Sequence, residues 1–304
     1  MVMIKRVLAL LGSGTLAILL LRQAETAAQA VRDGVQLCLT SVIPALFPFF
    51  AVSSLLVALG AAEAAGRALA RPFGQLFRCG GAGCAALLLG LVGGYPVGAR
   101  TAAELVRRGE LSPAEGARLL TFCNNAGPAF AIGVAGVSVF GSARTGVWLY
   151  LLHCAAALLT GLLFCRRPLP VTAMPKRPVP PQTGLTGQFL RAVEGAVSAM
   201  ARVCGFVVFF LVLLRLAEGL IGPLPPLAAG VLELTNGILR LTPDRRGFVT
   251  AAALLGWGGL SVHCQTAAVT AGSGISLRLY LPAKAVQAAL SAGLAALLAP
   301  YLPA

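Results

Sequence analysis

The chain has 304 residues, of which 58% are hydrophobic and only 11% are charged, with a mean hydropathy of +0.85. Soluble domains carry about 25% charged residues, and a single water-facing globule could not bury this much apolar surface. The composition excludes an ordinary soluble enzyme, a disordered chain and a disulfide scaffold. It predicts an all-α polytopic membrane protein in contact with a lipid bilayer.

The net charge of +14 comes from 24 Lys and Arg residues against 10 Asp and Glu residues. The basic residues stand in short clusters between apolar runs, such as Lys5-Arg6, Arg107-Arg108 and Arg245-Arg246. Such clusters are typical of loops at an anionic cytoplasmic leaflet, and they predict no nucleic-acid partner. The eight cysteines form no CxxC pair, so we predict neither a metal site nor a cofactor.

The first 40 residues are predicted to form an N-terminal unit. The apolar run from Val7 to Leu21 is interpreted as a retained first span, with a cleaved signal peptide as the alternative. Residues 23–40 have the pattern of an amphipathic helix that lies at the membrane interface.

Residues 41–165 are predicted to form the first half of the membrane unit. An apolar run at 41–59 precedes a charged surface segment at 61–78. Seven glycines between Gly80 and Gly98 predict a broken or re-entrant segment. A capping box at Ser112-Pro113-Ala114-Glu115 predicts the start of a helix, which Gly127-Pro128 interrupts, and a span follows at 144–164.

A linker and a second half complete the predicted organisation. Residues 166–187 contain six prolines, four cations and no acid, which predicts a cytoplasmic linker. Within the second half, residues 188–304, we predict an amphipathic approach at 188–202, a span at 203–221 and a short helix near 227–240. An apolar segment then runs from Thr242-Pro243 to about 270, and the last predicted span covers 279–299.

The two halves share a glycine motif. The segment from Gly93 to Ala103 is identical to that from Gly258 to Ala268 at six of eleven positions. Chance similarity between two Ala- and Gly-rich segments is the alternative to a true internal repeat. Paired broken segments in two halves indicate the binding site of a transporter. The sequence therefore predicts two pseudo-repeated halves, each with one Gly/Pro-broken segment.

Polar residues inside apolar surroundings are the candidate substrate-binding residues, because such residues usually face a cavity, a partner or an ion path. Together with the motif glycines they are Gly93, Gly94, Tyr95, Arg100, Asn124, Asn125, Glu233, Asn236, Gly258, Gly259, Ser261, His263 and Gln265. No common motif of soluble catalysis is present, so we predict that the protein is not an enzyme.

Five of these candidates have plain alternative interpretations. Asn124 and Asn125 could satisfy helix ends, and His263 could hydrogen-bond between helices. Arg100 could extend to the membrane surface, as long basic side chains do. Glu233 could either pair with Arg100 or belong to a helix C-terminus that ends at a left-handed Gly237.

Five motifs in order resemble the sporulation integral membrane protein YlbJ (SpoVV) family, within the nucleoside recognition or Gate-domain group. They are SVIPALFPFF (41–50), GGYPVGAR (93–100), FCNNAGPAF (122–130), ELTNG (233–237) and GWGGLSVHCQ (256–265). The third motif departs from the family pattern N[ST]SNP at Asn125-Ala126-Gly127, which puts a coordinating role of Asn125 in doubt.

The resemblance implies a multi-pass protein of the outer forespore membrane that moves dipicolinic acid during sporulation. Arg100 and His263 would then receive the carboxylates of this anion, while Asn124, Asn236 and Gln265 would bond its ring nitrogen or oxygens. A homo-oligomer or other sporulation membrane proteins are the implied protein partners. A non-transporting scaffold for spore assembly and a nucleoside or ion transporter are the alternatives.

Overall fold

A computed structural model describes residues 2–166 and 184–301 of the protein. These residues form helices and connecting loops with no β-strand among them, which confirms the predicted all-α class. Residues 167–183, most of the predicted linker, lie outside the described residues. The cytoplasmic placement of the linker therefore stays a prediction.

The described part of the N-terminal unit and of the first half consists of α-helices and two π-helical segments. They are α1 (Val2–Arg22), α2 (Ala24–Leu37), π1 (Cys38–Val42), α3 (Ile43–Ala58), α4 (Ala61–Phe77), α5 (Gly83–Gly93), α6 (Val97–Arg107), α7 (Pro113–Leu120), π2 (Ala129–Val139) and α8 (Ala143–Phe164).

The described part of the second half consists of α-helices and one terminal 3₁₀ turn. They are α9 (Leu185–Ile221), α10 (Pro226–Leu232), α11 (Leu234–Leu239), α12 (Arg245–Trp257), α13 (Gly259–Thr270), α14 (Tyr280–Leu298) and the turn Ala299–Tyr301. The predicted approach at 188–202 and span at 203–221 are thus one helix, α9. The short helix predicted near 227–240 is divided into α10 and α11.

Four stretches among the described residues are long and apolar enough to cross a membrane: α8, α9, α12 with α13, and α14. A fifth is possible by length and composition if Ala24–Val42 and Leu46–Leu56, bent by 59° from each other, form one broken span. In α1 the stretch Leu10–Arg22 is apolar but shorter than a span, so the predicted first span stays a prediction.

The glycine motif of the first half lies at a helix break. Gly94, with φ of +76°, ends α5, and the chain returns as α6 packed against α5. Both helices approach the backbone of Cys123 so closely that a Cβ on Gly90 or Gly98 would overlap the carbonyl oxygen of Cys123. The predicted broken segment is therefore a helical hairpin that encloses the loop at Cys123.

The corresponding motif of the second half also interrupts a helix, with a different result. Gly258 and Gly259 have φ of +91° and +81°, yet Arg245–Thr270 continues as one apolar stretch of 26 residues. The helices that follow the two breaks, α6 and α13, contact each other. Because the two breaks differ in geometry, the pseudo-repeat remains a prediction.

The halves are interleaved. Helix α9 packs against α2 of the N-terminal unit and α3 of the first half, and α14 packs against both α8 and α12. The prediction of a surface segment at 61–78 is wrong at its C-terminal end, where Phe73 and Phe77 are buried and Phe77 stacks on Phe122 at 4.6 Å between ring centroids. This aromatic cluster packs α4 against α8 and against the loop that carries Asn124 and Asn125.

Candidate functional site

A cavity of about 60 Å³ lies where the broken segments of the two halves meet. Each of the five sequence motifs contributes to its lining, through residues such as Ser41, Tyr95, Gly127, Glu233 and Gln265. The remaining lining is largely apolar and includes valines of α9. Its largely apolar lining with a few convergent polar groups has the composition of a small-molecule site, whereas its volume is below the roughly 300–1,000 Å³ of pockets that hold a drug-sized ligand.

Tyr95 connects the two helix breaks. Its hydroxyl group donates a hydrogen bond to the carbonyl oxygen of Leu255 at 2.9 Å, near the end of α12. Gly258 leaves room for the phenol, since a Cβ there would lie 3.1 Å from the Tyr95 oxygen. The ring is thus held by both halves while one of its faces lines the cavity.

Glu233 is buried in the cavity wall and caps α11. Its carboxylate accepts hydrogen bonds from the backbone N–H groups of Thr235 at 3.2 Å and Asn236 at 2.8 Å, and from the Asn236 amide at 2.8 Å. Glu233 also follows the last residue of α10, so a helix C-terminus does lie here, but the expected helix end at Gly237 is wrong. Gly237 is not left-handed but lies inside α11, packed against the backbone of Gly230.

The predicted pairing of Arg100 with Glu233 is also wrong. The guanidinium group of Arg100 donates to the carbonyl oxygen of Gly195 on α9 at 3.2 Å, and Arg100 does not line the cavity. The Glu233 carboxylate uses its oxygens on its own helix instead, because uncapped N–H groups at a buried helix end are costly.

Asn124 and His263 belong to one buried polar network that joins the two halves. The amide nitrogen of Asn124 donates to the Thr266 hydroxyl at 2.8 Å and to the Tyr280 hydroxyl at 3.2 Å. Nδ1 of His263 lies 3.2 Å from the same Tyr280 oxygen. Tyr280, which was not among the predicted residues, contacts Asn124, His263 and Thr266 through its hydroxyl group.

Lys284 is the second residue that the sequence analysis missed. Its side chain is completely buried, and its ammonium group donates to the backbone oxygen of Asn124 at 3.0 Å and to Oε1 of Gln287 at 2.7 Å. The same Nζ atom lies 5.2 Å from the centroid of the Tyr95 ring. Gln287 in turn donates to Oδ1 of Asn125 at 2.9 Å.

A signal for Lys284 was present in the sequence. It is the only charged residue after Arg278, inside a run otherwise apolar enough to span a membrane. An ionisable residue within a span indicates a functional position by default. The predicted site residues came from the broken segments and their surroundings, whereas Lys284 lies in the regular helix α14.

Several other predicted residues lie close to this centre. Ser261 accepts a hydrogen bond from the Gln265 amide at 3.3 Å, and Gly94 packs against the backbone of Gly127. Oδ1 of Asn124 and Nε2 of His263 are buried without a hydrogen-bond partner among the described residues. The described residues contain no group of three His, Cys, Asp or Glu side chains placed to hold a metal ion.

The sequence is similar to known proteins. Residues 39–143 match the family model described as nucleoside recognition, called Gate. The chain is 26% identical over 310 residues to the sporulation integral membrane protein YlbJ of Bacillus subtilis (strain 168), an alignment that covers 85% of this chain and 74% of that protein. The resemblance predicted from the motifs is confirmed. No solved structure matches the chain.

The match to the Gate model covers three of the five motifs, and the alignment with the sporulation protein extends over most of the chain. Together with the candidate spans, these similarities indicate an integral membrane protein.

Proposed function

We propose that the protein is a transporter for a small anionic metabolite and that the cavity is its binding site. The observation that carries this proposal is the convergence of all five motifs, from both halves, on one cavity beside the helix breaks. Transporters bind substrates where discontinuous helices of two halves meet, because interrupted helices leave backbone groups free for a ligand. Tyr95, Gln265 and Glu233 would line the substrate path, and Asn124, Asn125 and His263 would support it.

Dipicolinate is the substrate that we propose, and the outer forespore membrane is the proposed location. Both come from the resemblance of the motifs, and the similarity to a sporulation integral membrane protein supports a role in sporulation. Dipicolinate is a planar dianion with a ring nitrogen. Amide groups such as that of Gln265 can donate to its carboxylates.

The test is uptake of radiolabelled dipicolinate into proteoliposomes that contain the purified protein. We expect saturable uptake by the wild type and at least a tenfold loss in Gln265→Leu. The matched control is Gln29→Leu, the same chemical change at an exposed position of α2, which should transport normally. Arg100→Ala adds a second comparison, since a similar loss there would include Arg100 in the substrate path.

Failure of the folded wild type to transport dipicolinate would contradict this assignment. Transport assays and alanine substitutions would then test the scaffold alternative. A scaffold would transport none of the solutes offered, and alanine substitutions at Glu233 or His263 would leave its sporulation role intact.

One observation favours a nucleoside or cation as the second candidate. Glu233 is the only charged residue among the described residues that line the cavity, and the matching family model is described as nucleoside recognition. Competition by uridine, or dependence of uptake on Na⁺ or Fe²⁺, would support this candidate.

A further inference from the structure

We infer that Lys284 is the residue that makes the site selective for negatively charged solutes. This inference rests on the proposed function and deepens it, because it assigns the substrate charge to a residue of α14. Lys284 lies outside the region that matches the Gate model, and none of the five motifs includes it.

The charge of Lys284 has no counter-ion among the described residues. The ion pairs found there join arginines to Glu104 or Glu218, and none of them includes Lys284. Its two hydrogen-bond partners, the Asn124 carbonyl and the Gln287 amide, are neutral oxygens. A buried cation without a carboxylate is costly in free energy, and a well-packed apolar residue would avoid that cost.

The carboxylate that lines the cavity does not supply the missing counter-ion. Both oxygens of Glu233 are bonded to N–H groups of α11, which disperses its negative charge over the start of that helix. Glu218 is bonded to Arg240 and Arg215. The positive charge of Lys284 thus remains available to an anion that enters the cavity.

Tyr95 is the side chain that Lys284 and the cavity share. An ammonium group has three N–H donors, of which two are used on the oxygens of Asn124 and Gln287. The Tyr95 ring, 5.2 Å from Nζ, also lines the cavity. An anion in the cavity beside the Tyr95 side chain is close enough to the ammonium for electrostatic attraction, which low-dielectric surroundings keep strong.

The selectivity can be measured with a matched pair of ligands. Pyridine-2,6-dicarboxylate and its uncharged diamide, pyridine-2,6-dicarboxamide, have nearly the same shape and differ in charge. Benzoate, uridine 5′-monophosphate and uridine extend the panel to other anions and to a neutral nucleoside. Binding of each is measured calorimetrically on the full chain in lipid nanodiscs.

We expect the wild type to bind at least one of the anions about tenfold or more tightly than the neutral compounds. Lys284→Met should lose this preference, whereas Lys284→Arg, which keeps the charge, should retain part of it. Arg278→Met is the control, because it removes an exposed positive charge six residues away and should leave the preference unchanged. Thermal unfolding of each variant shows whether it is folded.

The possible results distinguish a failure of this inference from a failure of the proposed function. Binding of benzoate or uridine 5′-monophosphate, but not of pyridine-2,6-dicarboxylate, would support the role of Lys284 and contradict the dipicolinate assignment. Equal binding of the dicarboxylate by the wild type and Lys284→Met would overturn the role of Lys284 alone. A wild type that binds no anion, or that prefers anions by less than threefold, overturns the inference even if Lys284→Met does not fold.

Discussion

At the scale of single residues, the close approach of backbones at Gly98 leads to a stability prediction. Gly98→Ala would place a methyl group on the Cys123 carbonyl, which belongs to the loop that carries Asn124. Because overpacking in a tightly packed interior forces the backbone to move, we expect a loss of about 3 kcal/mol in the free energy of unfolding. Denaturant unfolding in detergent measures this loss.

The control is Gly133→Ala in π2, where a new Cβ would have no neighbour within 4 Å. This variant should unfold like the wild type or at a slightly higher denaturant concentration, since alanine loses less chain entropy than glycine. Equal stability of Gly98→Ala and Gly133→Ala would contradict the packing described at the first helix break.

The hydrogen bond of Tyr95 gives a second residue-scale prediction. Tyr95→Phe removes the bond to Leu255 but keeps the ring that contacts Lys284 and lines the cavity. We expect a loss of about 1 kcal/mol in stability, because a carbonyl oxygen loses its buried donor. The preference for anions over neutral ligands should persist, and the same calorimetric panel measures it. Loss of that preference would assign the selectivity to the hydroxyl group rather than to the ammonium.

Sequence reasoning found the residues of the site more readily than it found their partners. Asn124, His263 and Gln265 stand out because they are polar residues in apolar runs. Which groups they contact depends on how α14 packs against the first half, and no local pattern specifies that packing. Tyr280 was missed for this reason, whereas Lys284 carried a signal of its own as a charged residue in an apolar helix. The pairing of Glu233 with Arg100 was wrong because local capping satisfied the carboxylate first.

At the scale of elements, the capping box of α7 was predicted and is confirmed. The Ser112 hydroxyl accepts from the Glu115 N–H, while the Glu115 carboxylate accepts from the Ser112 N–H. The other Glu115 oxygen also accepts from the N–H of Gly80 at 2.8 Å, a long-range contact that the motif did not reveal.

This additional contact predicts that substitution of Glu115 destabilises the protein more than substitution of Ser112. Ser112→Ala removes one cap acceptor and should reduce the free energy of unfolding by about 1 kcal/mol. Glu115→Ala should cost more, because it leaves the N–H groups of both Ser112 and Gly80 without their acceptor. Chemical unfolding of the two variants gives the comparison. A larger effect of Ser112→Ala would mean that the Gly80 contact does not contribute to stability.

The positions of the two helix breaks were predictable from the sequence, but the course of the chain after them was not. Glycine doublets at 93–94 and 258–259 correctly predicted two interruptions. The direction of the chain after each break was not predictable, because glycine permits many backbone conformations. At the first break α6 folds back against α5, whereas at the second α13 continues the course of α12.

At the scale of the whole molecule, the interleaving of the halves predicts that neither half is stable alone. Helix α9 covers α2 and α3, and α14 covers α8, so each half exposes a large buried surface when the other is absent. Residues 1–166 and 184–304, expressed separately, should be degraded or should aggregate, whereas their co-expression should give a complex that purifies together. Stable, monodisperse single halves would contradict this interleaving.

The length of α9 also indicates where its residues lie relative to the membrane. Its 37 residues extend about 55 Å at 1.5 Å per residue, whereas the hydrocarbon core of a bilayer is about 30 Å thick. If the apolar stretch at 203–221 fills that core, the preceding turns of α9 stand in the headgroup region and the water beyond it. Gly195 precedes that stretch by eight residues, or about 12 Å, so its contact with Arg100 places this part of α6 outside the hydrocarbon core.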